Sequence, residues 1–419
     1  MSNYAVICPI EGMEQMAQLQ WTVALRKLGH HVEVHNLRSA NEDPRAGLAK
    51  LVSRVTRNSP ETIFVEGAIG FNLPEFYLHP AIQSTPVAAF WFDAPIRPVD
   101  YRKNENGYLE ALRLPNVHHF VWDGYWRRWL LQQYQIRSFP IHLAANSDQF
   151  HPLPHPAKYL DHAVFIGAMV SLQQIEEQKQ KLPSVLKHMA SAAADSVNKS
   201  PYGANPFDII ENTLRGLPSK MTSAYEQLRE NQPEEILHFR SIVWMLAKND
   251  VRKRVLKEVL KVTPLLMLCG NLEQTHAGER EVRELLDTDS NRLTVLDTRD
   301  KEASGLNGLY AYGKIHLQAT DPQSVEGGIP FRVFQTTAAR RPLLTDKKPE
   351  LAQCYCYDDE LLTFNSEKDF ADCLQKALSS KERLDTVAAN GYRRFLMDHT
   401  WEKRFQYVIK TVFGSNHHV

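Results

Sequence analysis

The sequence predicts an α/β protein of two domains, each a parallel sheet wrapped by helices. Three observations carry that expectation. Apolar runs of strand length alternate with amphipathic helical stretches in two separate series. A polar stretch with three prolines, NSDQFHPLPHPAKY, divides the two series. And 419 residues are too many for one compact core.

The first series covers residues 1–150. It opens on YAVICPI, an apolar strand run. A helix follows in which Met13, Ala17, Trp21, Ala24 and Leu28 recur every three to four positions, with Gly29 at its C-terminal stop. HHVEVHNL alternates as a second strand, and TIFVEGA, VAAFWFDAP, HHFVW and SFPIHLAA continue the series. The second domain, 156–395, begins with HAVFIGAMV. It is interrupted at 171–262 by helix-forming segments such as VLKHMASAAA, PFDIIENTLRGL and RKRVLKEVLKV. Strands return in PLLMLCGN, LTVLD, KIHLQAT, RPLLT and LLTF. The chain closes on WEKRFQYVIKTVF, a helix over 400–413 with Trp401, Phe405, Val408 and Val412 on one face, which needs a surface to cover it.

Lys plus Arg and Asp plus Glu number 49 each, so no net field gathers a polyanion, which argues against general nucleic-acid binding. No run approaches the ~18–20 apolar residues of a membrane span. MSNYAVICPIEGMEQ lacks the basic and small-residue features of a signal peptide. Five cysteines, Cys354 and Cys356 among them, form neither a disulfide framework nor a metal site. A cytoplasmic protein with reduced thiols and no metal is expected.

Several motifs fail on context. GLYAYGK, Gly308 to Lys314, has phosphate-loop spacing, but Ile315 and a strand follow where the motif needs Ser or Thr and a helix. Asp287 and Asp289 sit at the end of a helical stretch and read as a solvated turn. No G-x-G-x-x-G supports a dinucleotide site. VEGGIPFRVFQTTAARRPLLT, Val325 to Thr345, is different. Gly327 and Gly328 permit close backbone approach, Pro330 suits a helix start, and the helix FRVFQTTAA turns its N-terminal amides toward the glycine loop. Arg332 in the first turn opposes the helix dipole, which makes sense if a phosphate lies between them. The plain alternative is a glycine turn with a surface arginine.

GGIPFRVFQTTAARRPLLTDKKPEL resembles the G-x-P-x-R-x-F-E helix, strand and turn of CgeB-like glycosyltransferases. LLTFNSEKDFADCLQKAL and NGYRRFLMDHTWEKRFQYVI agree with that family in order, including its His-Thr-aromatic ending. GLYAYGKIHLQAT and IHLAANSDQFHP are similar to its strand entry and hinge. The resemblance implies the GT-B architecture: two Rossmann-like domains facing a cleft, the helical insertion in the second, and a terminal helix returning to the first. It implies a nucleotide-diphosphate sugar as donor substrate, with no other cofactor. One departure is Gln335, where the family usually has glutamate; glutamine keeps hydrogen bonding but loses the charge.

The resemblance assigns the departing diphosphate to the helix near Pro330, with Arg332 and Lys314, and places Gly167, Gly270 and Asn271 at the same cleft. Gly327 and Gly328 line the loop, Gln335 faces the donor, and Glu326 is either a substitute carboxylate or a solvated loop residue. On the acceptor side Asp93, after the apolar FWF, is a candidate base if burial raises its pKa, or else a cap or structural partner. Glu11 is a second candidate, or simply a carboxylate favoured by a helix N-terminus. The rival functions are a catalytically silent nucleotide-sugar-binding or assembly protein, which Gln335 favours, and a transferase acting on modified DNA bases, which the zero net charge disfavours. The acceptor is open, and the insertion either shapes acceptor access or mediates oligomerisation.

Overall fold

The structure, a computed structural model, describes residues 1–8, 16–36, 48–67, 71–269, 277–288, 291–298 and 305–414. It divides into two units. Unit 1 comprises Met1–Asn146, Glu326–Gly328 and His399–Val419; unit 2 comprises Ser147–Val325 and Ile329–Asp398.

Unit 1 holds a six-stranded sheet in the order β2-β1-β3-β4-β5-β6. Its strands are β1 (Asn3–Cys8), β2 (His31–Asn36), β3 (Thr62–Glu66), β4 (Val87–Trp91), β5 (Val117–Val121) and β6 (Ser138–Pro140). All pairings are parallel. Every residue of β3 and β4 is buried, which is why these runs are apolar except for Thr62 and Glu66 at the two ends of β3: a parallel sheet covered on both faces has no solvent side for polar residues. Helices α1 (Met16–Lys27), α2 (Leu48–Thr56) and α3 (Gly124–Tyr134) belong to this unit. The strand order reverses direction between β1 and β3, so the crevice at the carboxyl ends of those strands is where such a sheet takes ligands.

Unit 2 repeats the plan with the order β12-β11-β10-β7-β8-β9, again with parallel pairings. Its strands are β7 (Ala163–Ile166), β8 (Leu265–Cys269), β9 (Leu293–Asp297), β10 (Ile315–Gln318), β11 (Leu343–Asp346) and β12 (Leu362–Phe364). The crossover from β7 to β8 carries five helices: α4 (Leu172–Lys181), α5 (Ser184–Lys199), α6 (Pro206–Arg215), α7 (Ser219–Asn231) and α8 (Pro233–Val262). Only the last third of α8 covers the sheet, through Val251, Val255, Leu256 and Val259 in the core. Its first half buries Ile236, Phe239, Ile242 and Val243 as it packs against the other inserted helices. A 30-residue helix is therefore longer than the strands it connects require, and it overshoots the carboxyl end of β7. Helices α9 (Glu279–Leu286), α10 (Phe331–Ala338), α11 (Glu367–Leu378) and α12 (Lys381–Asp398) complete the unit. The strand order reverses here between β7 and β10.

Beyond α12 the chain rejoins unit 1 as α13 (Trp401–Gly414), which buries Trp401, Phe405, Val408 and Val412. Phe405 meets Phe64 edge-on at 5.2 Å, and Trp401 meets Trp21 at 5.9 Å. Trp401 Nε1 donates to Gln20 Oε1 at 2.8 Å, so the buried indole is satisfied as well as packed.

None of the five cysteines is in a disulfide, and Cys8 and Cys269 are buried in β1 and β8. Among the described residues no helix is long and apolar enough to cross a membrane, and no cluster of metal-ligating side chains occurs.

Candidate functional site

The site grows from the carboxyl end of β7, beside the reversal in strand order. Gly167 leaves the strand there. A Cβ on it would meet the Phe165 ring at 2.9 Å, and it would stand 3.7 Å from Arg332 Nη1, so the glycine packs against Phe165 with that guanidinium beside it. Arg332 lies in the first turn of α10, where Pro330 is the N-cap and Phe331 the first helical residue.

The overshooting helix α8 fixes the exit from β7. Asn249 clamps Val170 by accepting from its N–H and donating to its carbonyl, both at 2.8 Å. One turn on, Arg252 donates from Nη1 to the Ala168 carbonyl, and its guanidinium sits 5.6 Å over the Phe165 ring. Arg252 is 5% exposed, and its Nε has no hydrogen-bond partner among the described residues. Lys248, one turn earlier, lies 4.7 Å over the Trp244 ring and 3.7 Å from Asp321 Oδ2, while Trp244 Nε1 donates to Asp321 Oδ1 at 2.7 Å.

Lys248 and Arg252 thus share the Asp321 carboxylate, and the charge of Arg332 acts on both cations. Burial, and then Arg252, lower the Lys248 ammonium to about 8; Asp321 opposes the shift. Burial also lowers Arg252 to about 10, with Asp321 resisting and Arg332 adding to the fall. Like charges crowded together out of water are unfavourable unless an anion joins them. The arrangement suits a polyanion such as a diphosphate, with charge-assisted donors on two sides.

Lys314 stands apart from this group. Ile315 pairs with Ala163, the first residue of β7, so Lys314 lies just before the amino edge of the sheet. Gly167 lies past the opposite edge, about 10–13 Å away at the rise of a strand. Assigning Lys314 to the diphosphate is therefore corrected: it precedes a strand instead of following one. Gly313 just before it has φ +70°, and a Cβ there would meet Val164 Cγ2 at 2.2 Å, so the GLYAYGK glycine makes a tight turn against β7.

The glycine pair is also differently used. Glu326, Gly327 and Gly328 group with unit 1, and their N–H groups donate to Asp123 Oδ2 at 3.0, 3.0 and 2.9 Å. A Cβ on Gly328 would fall 1.4 Å from Trp122 Cζ3. These amides hold a protein carboxylate, so the expected cradle of bare peptide nitrogens is corrected: Gly327 and Gly328 permit close packing against β5's exit. Glu326 pairs with Arg128, accepting at 2.8 Å from Nη1, and this hydrogen bond holds its carboxyl below the usual range. Gln335 is 6% exposed and accepts from the Tyr310 hydroxyl.

In unit 1, Asp93 lies exposed in a bend past β4, and the adjacent helix is capped by Pro95, so Asp93 is neither buried nor that helix's cap. The burial expected of it is found instead at Glu66, the last residue of β3, which is 7% exposed. Glu11, Gly270 and Asn271 lie outside the described residues.

Lys248, Arg252 and Glu66 had no place in the sequence reading. The two cations look like the solvated face of an amphipathic helix, and no local signal distinguishes them. Glu66 did carry one: a carboxylate ending the apolar run TIFVE, the same feature that drew attention to Asp93.

Residues 295–410 match the family model described as Glycosyl transferase-like, a span that includes α10 and Arg332. No curated protein is a significant match to the sequence. Among solved structures, sucrose-phosphate synthase from Thermosynechococcus elongatus superposes with a TM-score of 0.55 at 11% identity, over 99% of this chain and 100% of that one. A glycosyltransferase from Rickettsia africae gives 0.53 at 10% identity, over 98% of each chain. Anabaena HepE in complex with UDP and glucose gives 0.51 at 11% identity, over 99% and 100%. The chain has the GT-B fold of these enzymes, and its C-terminal region matches the Glycosyl transferase-like family.

Proposed function

We propose that this chain is a glycosyltransferase that takes a sugar from a nucleotide diphosphate, with unit 2 binding the donor and unit 1 the acceptor. The observation that carries the reading is the convergence of Lys248, Arg252 and Arg332 at the carboxyl end of β7, where Asp321 acts on the first two and the charge of Arg332 opposes both. A diphosphate supplies the missing negative charge. The same cations then stabilise the charge that develops as the nucleoside diphosphate departs, a task that in other transferases falls to a metal. We accordingly read the reaction as metal-independent.

The fold and the family match over 295–410 support this reading, as does the presence of UDP, with glucose or as UDP-glucose, in the HepE structures that share the fold. The G-x-P-x-R-x-F helix and the His399-Thr400-Trp401 ending favour a CgeB-like enzyme. Five cysteines outside any disulfide fit a reducing, cytoplasmic setting.

Gln335 motivates a second reading, a protein that binds nucleotide sugars without turning them over. Its amide holds the Tyr310 hydroxyl and brings no charge to the site.

Thermal shift with UDP-, GDP-, ADP- and dTDP-sugars tests the donor site, because a ligand that prefers the native state raises its melting temperature. One donor class is expected to stabilise the wild type, and Arg332→Ala to abolish the shift with the unliganded melting temperature unchanged. A wild-type shift in that variant overturns the site. Release of nucleotide from the stabilising donor separates transferase from silent binder.

A further inference from the structure

Glu66 ends β3 at the carboxyl edge of the unit 1 sheet, on the strand beside the reversal of order between β1 and β3. Ligands of open parallel sheets gather at that position. The residue is 7% exposed, and its Oε2 has no hydrogen-bond partner among the described residues. Buried carboxylates in folded proteins are normally paired, and an unpaired one costs stability unless it serves some other end.

Among the described residues, the charge that acts on it is a carboxylate, not a cation. β4, on one side, runs on to Asp93, whose charge acts on Glu66; β1, on the other, ends in Cys8. Burial first and Asp93 second push the Glu66 carboxyl up to about 7. A carboxyl poised near neutrality is suited to taking a proton at physiological pH.

The backbone beneath it is fixed. Gly67 lies flat against the Trp91 indole, where a Cβ would come within 2.3 Å. Trp91 Nε1 donates to His119 Nδ1 at 3.0 Å, and His119 Nε2 donates to the Leu112 carbonyl at 2.8 Å, which sets the tautomer of the buried imidazole. A chain of satisfied groups thus supports one carboxylate that is not satisfied.

We propose that Glu66, with Asp93 beside it, is the base that removes the proton from the acceptor hydroxyl. The proposal rests on the transferase reading above. In the step, the O–H proton of the acceptor passes to the Glu66 carboxylate, and the acceptor oxygen forms a bond to the anomeric carbon of the donor sugar. The bond from that carbon to the diphosphate oxygen breaks, and its electron pair leaves with the nucleoside diphosphate. Glu66 afterwards returns the proton to solvent.

The test uses the full chain with UDP-, GDP-, ADP- and dTDP-glucose and water as acceptor. Nucleotide release is followed from pH 5.5 to 9 (about the range around neutrality), with nucleotide affinity measured by calorimetry. Wild-type release is expected to fall roughly tenfold per pH unit below about pH 7. Glu66→Gln should slow release about 100-fold or more and abolish that acid limb, with nucleotide affinity unchanged. Glu66→Asp should keep the limb at a reduced rate, which guards against loss of fold in the glutamine variant. Release by Glu66→Gln within about threefold of wild type, with the limb intact, overturns Glu66 as base and leaves the transferase reading standing. Wild-type protein that binds nucleotide but releases none overturns the proposal in favour of the silent binder. Wild-type protein that binds none of the four overturns the donor site and the proposal together.

Discussion

Arg252 reaches from α8 to the carbonyl of Ala168, 84 residues earlier, and leaves its Nε without a partner among the described residues. A guanidinium that is 5% exposed would ordinarily use all its donors. The same guanidinium is repelled by the charge of Arg332 and attracted by that of Asp321. Arg252→Met is therefore expected to lower nucleotide affinity about tenfold or more, since a charge-assisted hydrogen bond is worth ~1.5–3 kcal/mol. It should leave the unliganded protein about as stable, because an apolar residue no longer bears the cost of desolvating the charge. Calorimetry and thermal melting of the same preparation check both halves.

Lys248 gives that argument a pH dependence. Burial and Arg252 hold it at about 8 in the folded protein, below its ordinary 10.5. Between those values the unfolded chain keeps a proton that the folded chain has released. Stability therefore rises with pH through that window, by about 3 kcal/mol at most. A bound diphosphate favours the charged form and raises the folded value again. Nucleotide binding at about pH 8.5 should then take up close to one proton and weaken as pH rises further. Calorimetry in buffers of different ionisation enthalpy measures the uptake, and Lys248→Met should eliminate it.

Lys314 and Arg332 are the direct comparison between reading a sequence and seeing a sheet. Both adjoin glycines, but Lys314 precedes β10 and Arg332 follows it. Lys314→Ala should keep nucleotide affinity within about twofold, whereas Arg332→Ala should lose about tenfold or more. Equal losses in the two variants would put the anion at the other edge.

The strands were legible because both sheets are covered on two faces, which makes VAAFW and LLMLC continuous apolar runs and gives TIFVE an apolar centre. The last helix was legible for the opposite reason: its one-sided spacing names the four residues it buries. The candidate site was less so. Arg332 could be found because a cation in a first turn breaks a local rule, but Lys248 and Arg252 break none. Their importance comes from the length of α8, which carries them past the end of β7, and helix length relative to a strand end is a three-dimensional fact. The glycine pair misled because an open backbone favours any close neighbour, and Trp122 and Asp123 fill that space as readily as a phosphate does.

Asp123 makes the second use of those glycines testable. Its Oδ2 accepts three backbone N–H groups and its Oδ1 caps α3 through the Tyr125 N–H at 2.9 Å. Asp123→Ala strands these donors, two of them buried, and removes a helix cap, for an expected loss of about 3–6 kcal/mol. Asp123→Asn keeps one acceptor oxygen, which serves either the three amides or the helix cap but not both, and should lose less than the alanine variant. Denaturant midpoints of the two variants decide the matter, and a small loss in the alanine variant would mean the amides find water instead.

The buried His119 and His316 and the half-buried His142 contribute to the acid limit, and burial lowers His142 to about 4. Burial lowers His119 to about 4, and burial followed by the Arg341 cation lowers His316 to about 3. The unfolded chain binds a proton at each near 6.5, while the folded chain excludes it until the lower value. More protons are bound by the unfolded state in that interval, so stability is complete above about pH 6.5 and is lost as pH falls toward 4. For His119 the loss approaches about 3 kcal/mol. His119→Gln keeps an acceptor for Trp91 Nε1 but has no proton to bind, so its unit 1 stability should fall less steeply between about pH 6.5 and 4.5 than that of the wild type, with His142 and Glu66 still contributing. His316 sits in β10 with its ring stacked on Tyr310 at 5.7 Å, and His316→Gln should flatten unit 2 in the same way. Amide hydrogen exchange resolves the two units separately. A wild-type profile that is flat in both would show that the imidazoles are already reached by solvent.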